Sequence, residues 1–173
     1  MNATDEAEFR DFVTTRAASL RRTAYLMCGD WHAAEDAVQT TFTRAYIAWG
    51  RVRSVDNTDA YVRRILLRVV IDEGRRPWRR EHIVTIVPDS SYIDRSSDDR
   101  DALMTALRAM PPRQRAVVVL RYWDDMSIED TASVLGITTG AVKSSASRGL
   151  DALRRLIGDR ASLAFTTVQE DVR

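Results

Sequence analysis

The chain has 173 residues, a hydrophobic content of 45% and a net charge of +1 from 26 basic and 25 acidic side chains. That length and composition suit a folded soluble chain of one large domain or two small ones. No apolar run approaches a membrane span, the acidic start MNATDEAEF is not a signal peptide, and the single cysteine, Cys28, has no internal partner, so a reducing cytoplasmic setting is expected.

Residues 7–27 read as an amphipathic helix whose stripe is Phe9, Phe12, Val13, Ala17, Leu20, Ala24 and Met27. Cys28 and Gly29 end it, and Asp30 can cap a second helix over 31–49. In that helix Ala34, Ala37, Val38, Thr41, Phe42, Ala45 and Trp49 line one face, and Asp36, Gln39, Thr40 and Thr43 lie on or near the other. Residues 50–57 are polar and predict a loop. Asn57 or Thr58 then starts a third helix over 59–73, whose apolar residues Tyr61, Val62, Ile65, Leu66, Val69 and Val70 cover more than one stripe and imply burial on two sides. Arg63, Arg64 and Arg68 occupy what remains, and Arg75, Arg76, Arg79 and Arg80 extend the basic run past the break at Pro77.

Charge is segregated behind the neutral total. Residues 60–80 hold seven arginines against Asp72 and Glu73, a net of +5, and residues 81–101 hold six acids against two arginines, a net of −4. A near-neutral whole binds DNA weakly, because the electrostatic contribution scales with the phosphates neutralised. A basic patch beside an acidic segment predicts binding that depends on context. Residues 81–97 show no helical period and read as a flexible linker with one short β-prone run, IVTIV at 83–87, suited to docking.

Asp98 can cap a helix to residue 110, broken by Pro111 and Pro112, after which residues 113–123 form another. Residues 127–157, SIEDTASVLGITTGAVKSSASRGLDALRRLI, carry the strongest pattern. Ser127 caps one short helix with Asp130 three positions on, Gly136 supplies a left-handed turn, and Thr138 caps a second helix. Val142, Ala146, Leu150, Leu153 and Ile157 recur at helical spacing, while Lys143, Ser144, Ser147 and Arg148 fall opposite. Small Ala132 permits close approach and Val142 plugs the hairpin. An all-α core hairpin shares this periodicity, but alanine, glycine and valine at these positions spell a helix-turn-helix, whose second helix enters the DNA major groove. The tail at 159–173 has no strong pattern.

No catalytic constellation appears. The seven glycines are scattered rather than gathered into a phosphate-binding loop, and no cofactor is expected. Cys28 and His32 stand four apart, but a structural zinc site takes about four ligands, so no metal is expected. The acid pairs at 98–99 and 124–125 suit helix ends rather than acid–base chemistry.

Taken together, AAEDAVQTTFTRAY at 33–46, AYVRRILLRVVIDEGRR at 60–76, and MPPRQRAVVVLRYWDDMSIEDTASVLGITTGAVKSSASRGL at 110–150 resemble a bacterial sigma-70 family RNA polymerase sigma factor of the extracytoplasmic-function group. The resemblance implies an all-α fold of two small helical domains: region 2 over 1–80, a linker over 81–97, region 4 over 98–158, then the tail. It implies that Asp36, Gln39, Thr40 and Thr43 meet the clamp-helix coiled coil of the polymerase's largest subunit, with the flap as a further contact. It gives the single-stranded minus-ten element to Tyr61, Arg63, Arg64, Arg68, Arg75 and Arg76, with Trp78 as a second stacking ring. Thr139, Lys143, Ser144, Ser147 and Arg148 are then the readers of the minus-thirty-five element. Many members carry asparagine where Arg68 stands, and an arginine cannot reproduce the amide's paired donor and acceptor, so Arg68 is expected on backbone phosphate. Many also carry arginine at Ser145 and a larger side chain at Ser147, so more reliance on DNA shape is expected here.

The expected partners are RNA polymerase core, promoter DNA and, as in many members, an anti-sigma protein; the free chain is expected to be a monomer, nucleoid-associated through polymerase, with no membrane contact. The competing reading is an autonomous helix-turn-helix regulator, which leaves the first eighty or so residues unexplained. An enzyme acting on nucleic acid requires a metal or nucleophile cluster that the sequence lacks.

Overall fold

A computed structural model describes residues 3–73 and 95–158; side chains are described for 3–72 and 100–158. Every regular element among them is helical: α1 (Ala3–Cys28), α2 (Trp31–Ile47), α3 (Trp49–Val52), α4 (Thr58–Glu73), α5 (Arg95–Ala109), α6 (Pro112–Val118), α7 (Ile128–Leu135) and α8 (Thr139–Ile157), with a turn of π-helix at Val119–Trp123. Arg75, Arg76, Trp78, most of the proposed linker and the tail lie outside the described residues.

In the N-terminal half, α1 packs along α2 and α4. The Asp30 carboxylate accepts from the Ala33 amide at 2.7 Å and starts α2 as expected. Phe9 meets Trp49 edge-on, ring centres 5.0 Å apart, and Tyr25 stacks on Trp31 at 4.0 Å. Two expectations need correction. The second helix stops at Ile47, and the polar stretch at 50–57 begins inside a short helix, because Trp49 and Val52 must both turn into the core. The Asn57 side chain then accepts from the Ala60 amide at 2.9 Å and opens α4. As expected, α4 is buried on two sides, with Val62, Leu66, Leu67, Val69 and Val70 all in the core.

In the C-terminal half, α5 begins at Arg95, so Asp98 lies within the helix rather than capping it. The helix-turn-helix is built by the residues that announced it. Ser127 accepts from the Asp130 amide at 2.9 Å, Gly136 takes a left-handed φ of 64°, and Thr138 accepts from the Ala141 amide at 3.1 Å. Val142 and Ala146 pack with Ala132 and Val117 in the hairpin core. The helix expected over 113–123 starts at Pro112 as α6 and runs on into the π turn at Val119–Trp123. The Asp124 amide reaches back five residues to the Val119 carbonyl, the widened ladder of a π turn.

The two halves share one core. Leu20, Ala24 and Leu66 from the first belong to the same cluster as Leu103, Leu107, Leu120 and Leu153 from the second. Packing is close at Gly149, where an added Cβ would collide with the Val118 side chain. Gly149→Ala should therefore lower stability by about 1–3 kcal/mol through overpacking, read as a denaturation midpoint shift. Gly140→Ala, whose nearest neighbour would be Thr138 Oγ1 at 3.9 Å, should be neutral or gain about 0.4–1 kcal/mol.

Candidate nucleic-acid interface

The second helix of the hairpin, α8, divides cleanly into two faces. Val142, Ala146, Leu153 and Ile157 are buried, and Thr139, Lys143, Ser144, Ser147 and Arg148 are all exposed. The structure therefore brings every residue of the sequence-derived duplex-reading set to one surface. Ser144 donates to the Ala141 carbonyl at 3.2 Å, which fixes the hydroxyl without burying it. Beside this face runs a groove of about 300 Å³, lined by Arg121, Tyr122, Lys143, Ser147, Leu150 and Arg154. The face carries no packing duty, and two of its five side chains are cations.

On α2, Asp36, Gln39 and Thr43 are exposed and Thr40 is half-buried. Thr43 donates to the Gln39 carbonyl at 2.9 Å. The same face ends in Ile47, 79% exposed, with Tyr46 beside it at 43%. Sequence reasoning missed Ile47. Its signal was there, since 36, 40, 43 and 47 recur at helical steps, so an isoleucine sits in line with the polar set and away from the buried stripe. A large exposed apolar side chain in such a row marks a contact surface.

The α4 set is not brought together on an open face. Arg68 is exposed, Tyr61 and Arg64 are half-buried, and Arg63 is buried with 7% of its surface accessible. Arg63 is ringed by acceptors: Asp59 at 2.8 Å from Nε, Asp124 at 2.5 Å and Thr23 at 3.3 Å from Nη1, and Ser19 at 3.2 Å from Nη2. Thr23 in turn donates toward the Asp124 carboxylate at 3.0 Å. Burial disfavours the Arg63 charge, but Asp124 and Asp59 outweigh it and hold the guanidinium above its ordinary pKa. Burial pushes the Asp124 carboxyl up from its ordinary value, against the pull of Arg63 and Thr23. Arg64 Nη2 donates to the Ser133 carbonyl of α7 at 2.5 Å. Arg64, Arg68 and Arg113 converge on a groove of about 400 Å³ between α4 and α7, floored by Leu67, Ile71 and Leu135.

Among the described residues no three His, Cys, Asp or Glu side chains are gathered to hold a metal ion, and no helix is long and apolar enough to cross a membrane.

Comparison with known proteins identifies the family. The family model "Sigma-70 region 2" matches residues 12–80, which hold α2 and α4, and "Sigma-70, region 4" matches residues 100–153, which hold the hairpin. The chain is 37% identical over 160 residues to the RNA polymerase sigma-E factor of Streptomyces avermitilis, covering 88% of this chain and 87% of that one. It is 37% identical over 149 residues to the RNA polymerase sigma-E factor of Streptomyces coelicolor, covering 85% and 84%. In fold it is similar to the sigma factor RpoE of Bartonella quintana, solved in complex with the anti-sigma factor NepR, with a TM-score of 0.71, 23% identity, and coverage of 88% of this chain and 98% of that one. With both regions matched in order and a relative this similar over nearly the whole length, the chain belongs to the sigma-70 family of RNA polymerase sigma factors, in its extracytoplasmic-function group, and serves promoter-specific transcription initiation.

Proposed function

We propose that the chain divides this task among three surfaces. The α2 face, Asp36, Gln39, Thr40 and Thr43 with Ile47 at its end, docks on the clamp-helix coiled coil of polymerase core. Its carboxylate sets orientation and association rate against a basic coiled coil, and Ile47 adds apolar area. The α4 arginines take the phosphates of the opened strand, with Tyr61 as a stacking ring. The exposed α8 face reads duplex: Lys143 and Arg148 reach phosphate or guanine, and Thr139, Ser144 and Ser147 make short-range contacts. The observation that carries this reading is the α8 face itself, where five polar side chains stand exposed on a helix fixed from behind by the hairpin core.

The chain performs no chemistry. It lowers the cost of opening DNA by binding the product of opening, as a monomer that works in the cytoplasm once joined to core. An anti-sigma protein is a further partner, by likeness to the Bartonella complex. Near-neutral net charge keeps the free chain from binding DNA tightly.

Reconstituted transcription with core enzyme and genomic fragments tests the whole reading. Promoter fragments should shift in a gel only when core is present; a shift by the chain alone would favour an autonomous regulator. Arg148→Ala should weaken promoter binding by the assembled enzyme and reduce the slope of log affinity against log salt by about one. Asp36→Arg should weaken core binding by about tenfold, mostly through slower association, measured by competition against the wild-type chain. Arg68→Ala should reduce permanganate reactivity of unpaired promoter thymines while leaving core affinity unchanged.

A further inference from the structure

We propose that the Asp124 carboxylate competes with the promoter strand's phosphates for Arg63, so that the packing of the C-terminal half on α1 and α4 is an autoinhibited state. This rests on the reading of α4 as the strand-binding helix.

Three observations lead there. First, four of the five N–H donors of Arg63 already point at acceptors, on Asp59, Asp124, Thr23 and Ser19, which leaves the guanidinium no fork to offer a phosphate. Asp124 presents what a phosphate would present, two anionic oxygens, at 3% side-chain exposure. Second, the neighbouring Arg64 is held the same way, by the carbonyl and hydroxyl of Ser133 on α7. Two successive arginines of the basic helix are thus occupied by two separate elements of the other half. Third, the carboxylate is delivered by an irregular turn. The π turn at Val119–Trp123 ends at Asp124, and Asp125 follows with a left-handed φ of 49°, so the backbone departs from helix at the residue that reaches Arg63.

A buried ion pair contributes little net stability, yet removing one member is strongly destabilising to whatever it joins. Such a contact holds while both halves are in place and fails cooperatively when one is drawn off. The closed state is also asymmetric. It occupies Arg63 and Arg64 but leaves Arg68 and the α8 face open, so the duplex reader is available before the strand reader is complete.

The test uses the full chain carrying Asp124→Asn, and separately Thr23→Val, which removes the hydroxyl that steadies the carboxylate. Neither residue lies on a proposed binding surface. Small-angle scattering reads opening as a larger radius of gyration, with helix content by circular dichroism showing that each half stays folded. Anisotropy of a short fluorescein-labelled DNA single strand reads access to α4. If the open form is about a tenth of the wild-type population, Asp124→Asn should bind the strand about tenfold more tightly than wild type, and Thr23→Val should move the same way by less. With core bound, wild type and both variants should bind the strand equally. Unchanged scattering in both variants, or opening with no gain in strand affinity, overturns the competition while core-dependent strand binding keeps α4 as the strand helix. If no variant binds the strand even with core, the strand-binding reading falls and the autoinhibition with it.

Discussion

A guanidinium taken out of water is tolerated only if its donors are met and its charge is answered. Arg63 satisfies that condition by drawing on three separate segments at once. Ser19 and Thr23 come from α1, Asp59 from one turn earlier on α4, and Asp124 from beyond α6. Once α4 is buried on two faces by Val62, Leu66, Val69 and their neighbours, Arg63 has nowhere to go but between the halves. The carboxylate that answers it stands at the end of the π turn, just ahead of α7 and α8. The apolar cluster supplies most of the attraction between the halves, and the ion pair sets their register.

The local architecture was legible because its signals are local. Ser127, Gly136 and Thr138 each act on backbone within four residues, so their types and spacing were enough to define the hairpin. The same holds for Asp30 ahead of α2. Where the reading departed from the structure, a distant residue decided the outcome. A helical turn stands where a loop was expected because Phe9 and Phe12 of α1 are there to receive the Trp49 ring and Val52 is buried with it. Arg63 looks no different in sequence from Arg68, and of its two carboxylates only Asp59 is local; the other, Asp124, lies 61 positions away, and the threonine steadying it lies 101 positions from it. Periodicity within a helix says which side chains share a face. It says nothing of what arrives to cover that face.

The helix proposed to read duplex, α8, is under a different constraint. Its exposed positions combine two long cations with hydroxyls, and Ser145 is half-buried rather than reaching outward. Hydroxyls accept and donate with little regard to base identity, whereas long cations mainly find phosphates. Selectivity on such a face depends on groove width and helix position as much as on base edges. Fixing α8 rigidly then matters more than adding contacts. The close seating of Gly149 on Val118 and the plug of Val142 into the hairpin achieve this.

One feature of α1 bears on how the halves separate. Its last carbonyls are not left to solvent: Arg115 donates to Met27 at 2.5 Å and Arg108 donates to Gly29. Both arginines come from the C-terminal half, and both answer the negative end of the α1 dipole. Burial and the nearby Arg108 charge pull Arg115 below its ordinary pKa, so these two cations crowd one another even as they serve the same helix end. The seam is thus fastened at two edges, by the Arg63–Asp124 pair on one and by two arginines of the C-terminal half gripping the end of α1 on the other. Losing the ion pair would therefore leave the halves still tied together at the end of α1.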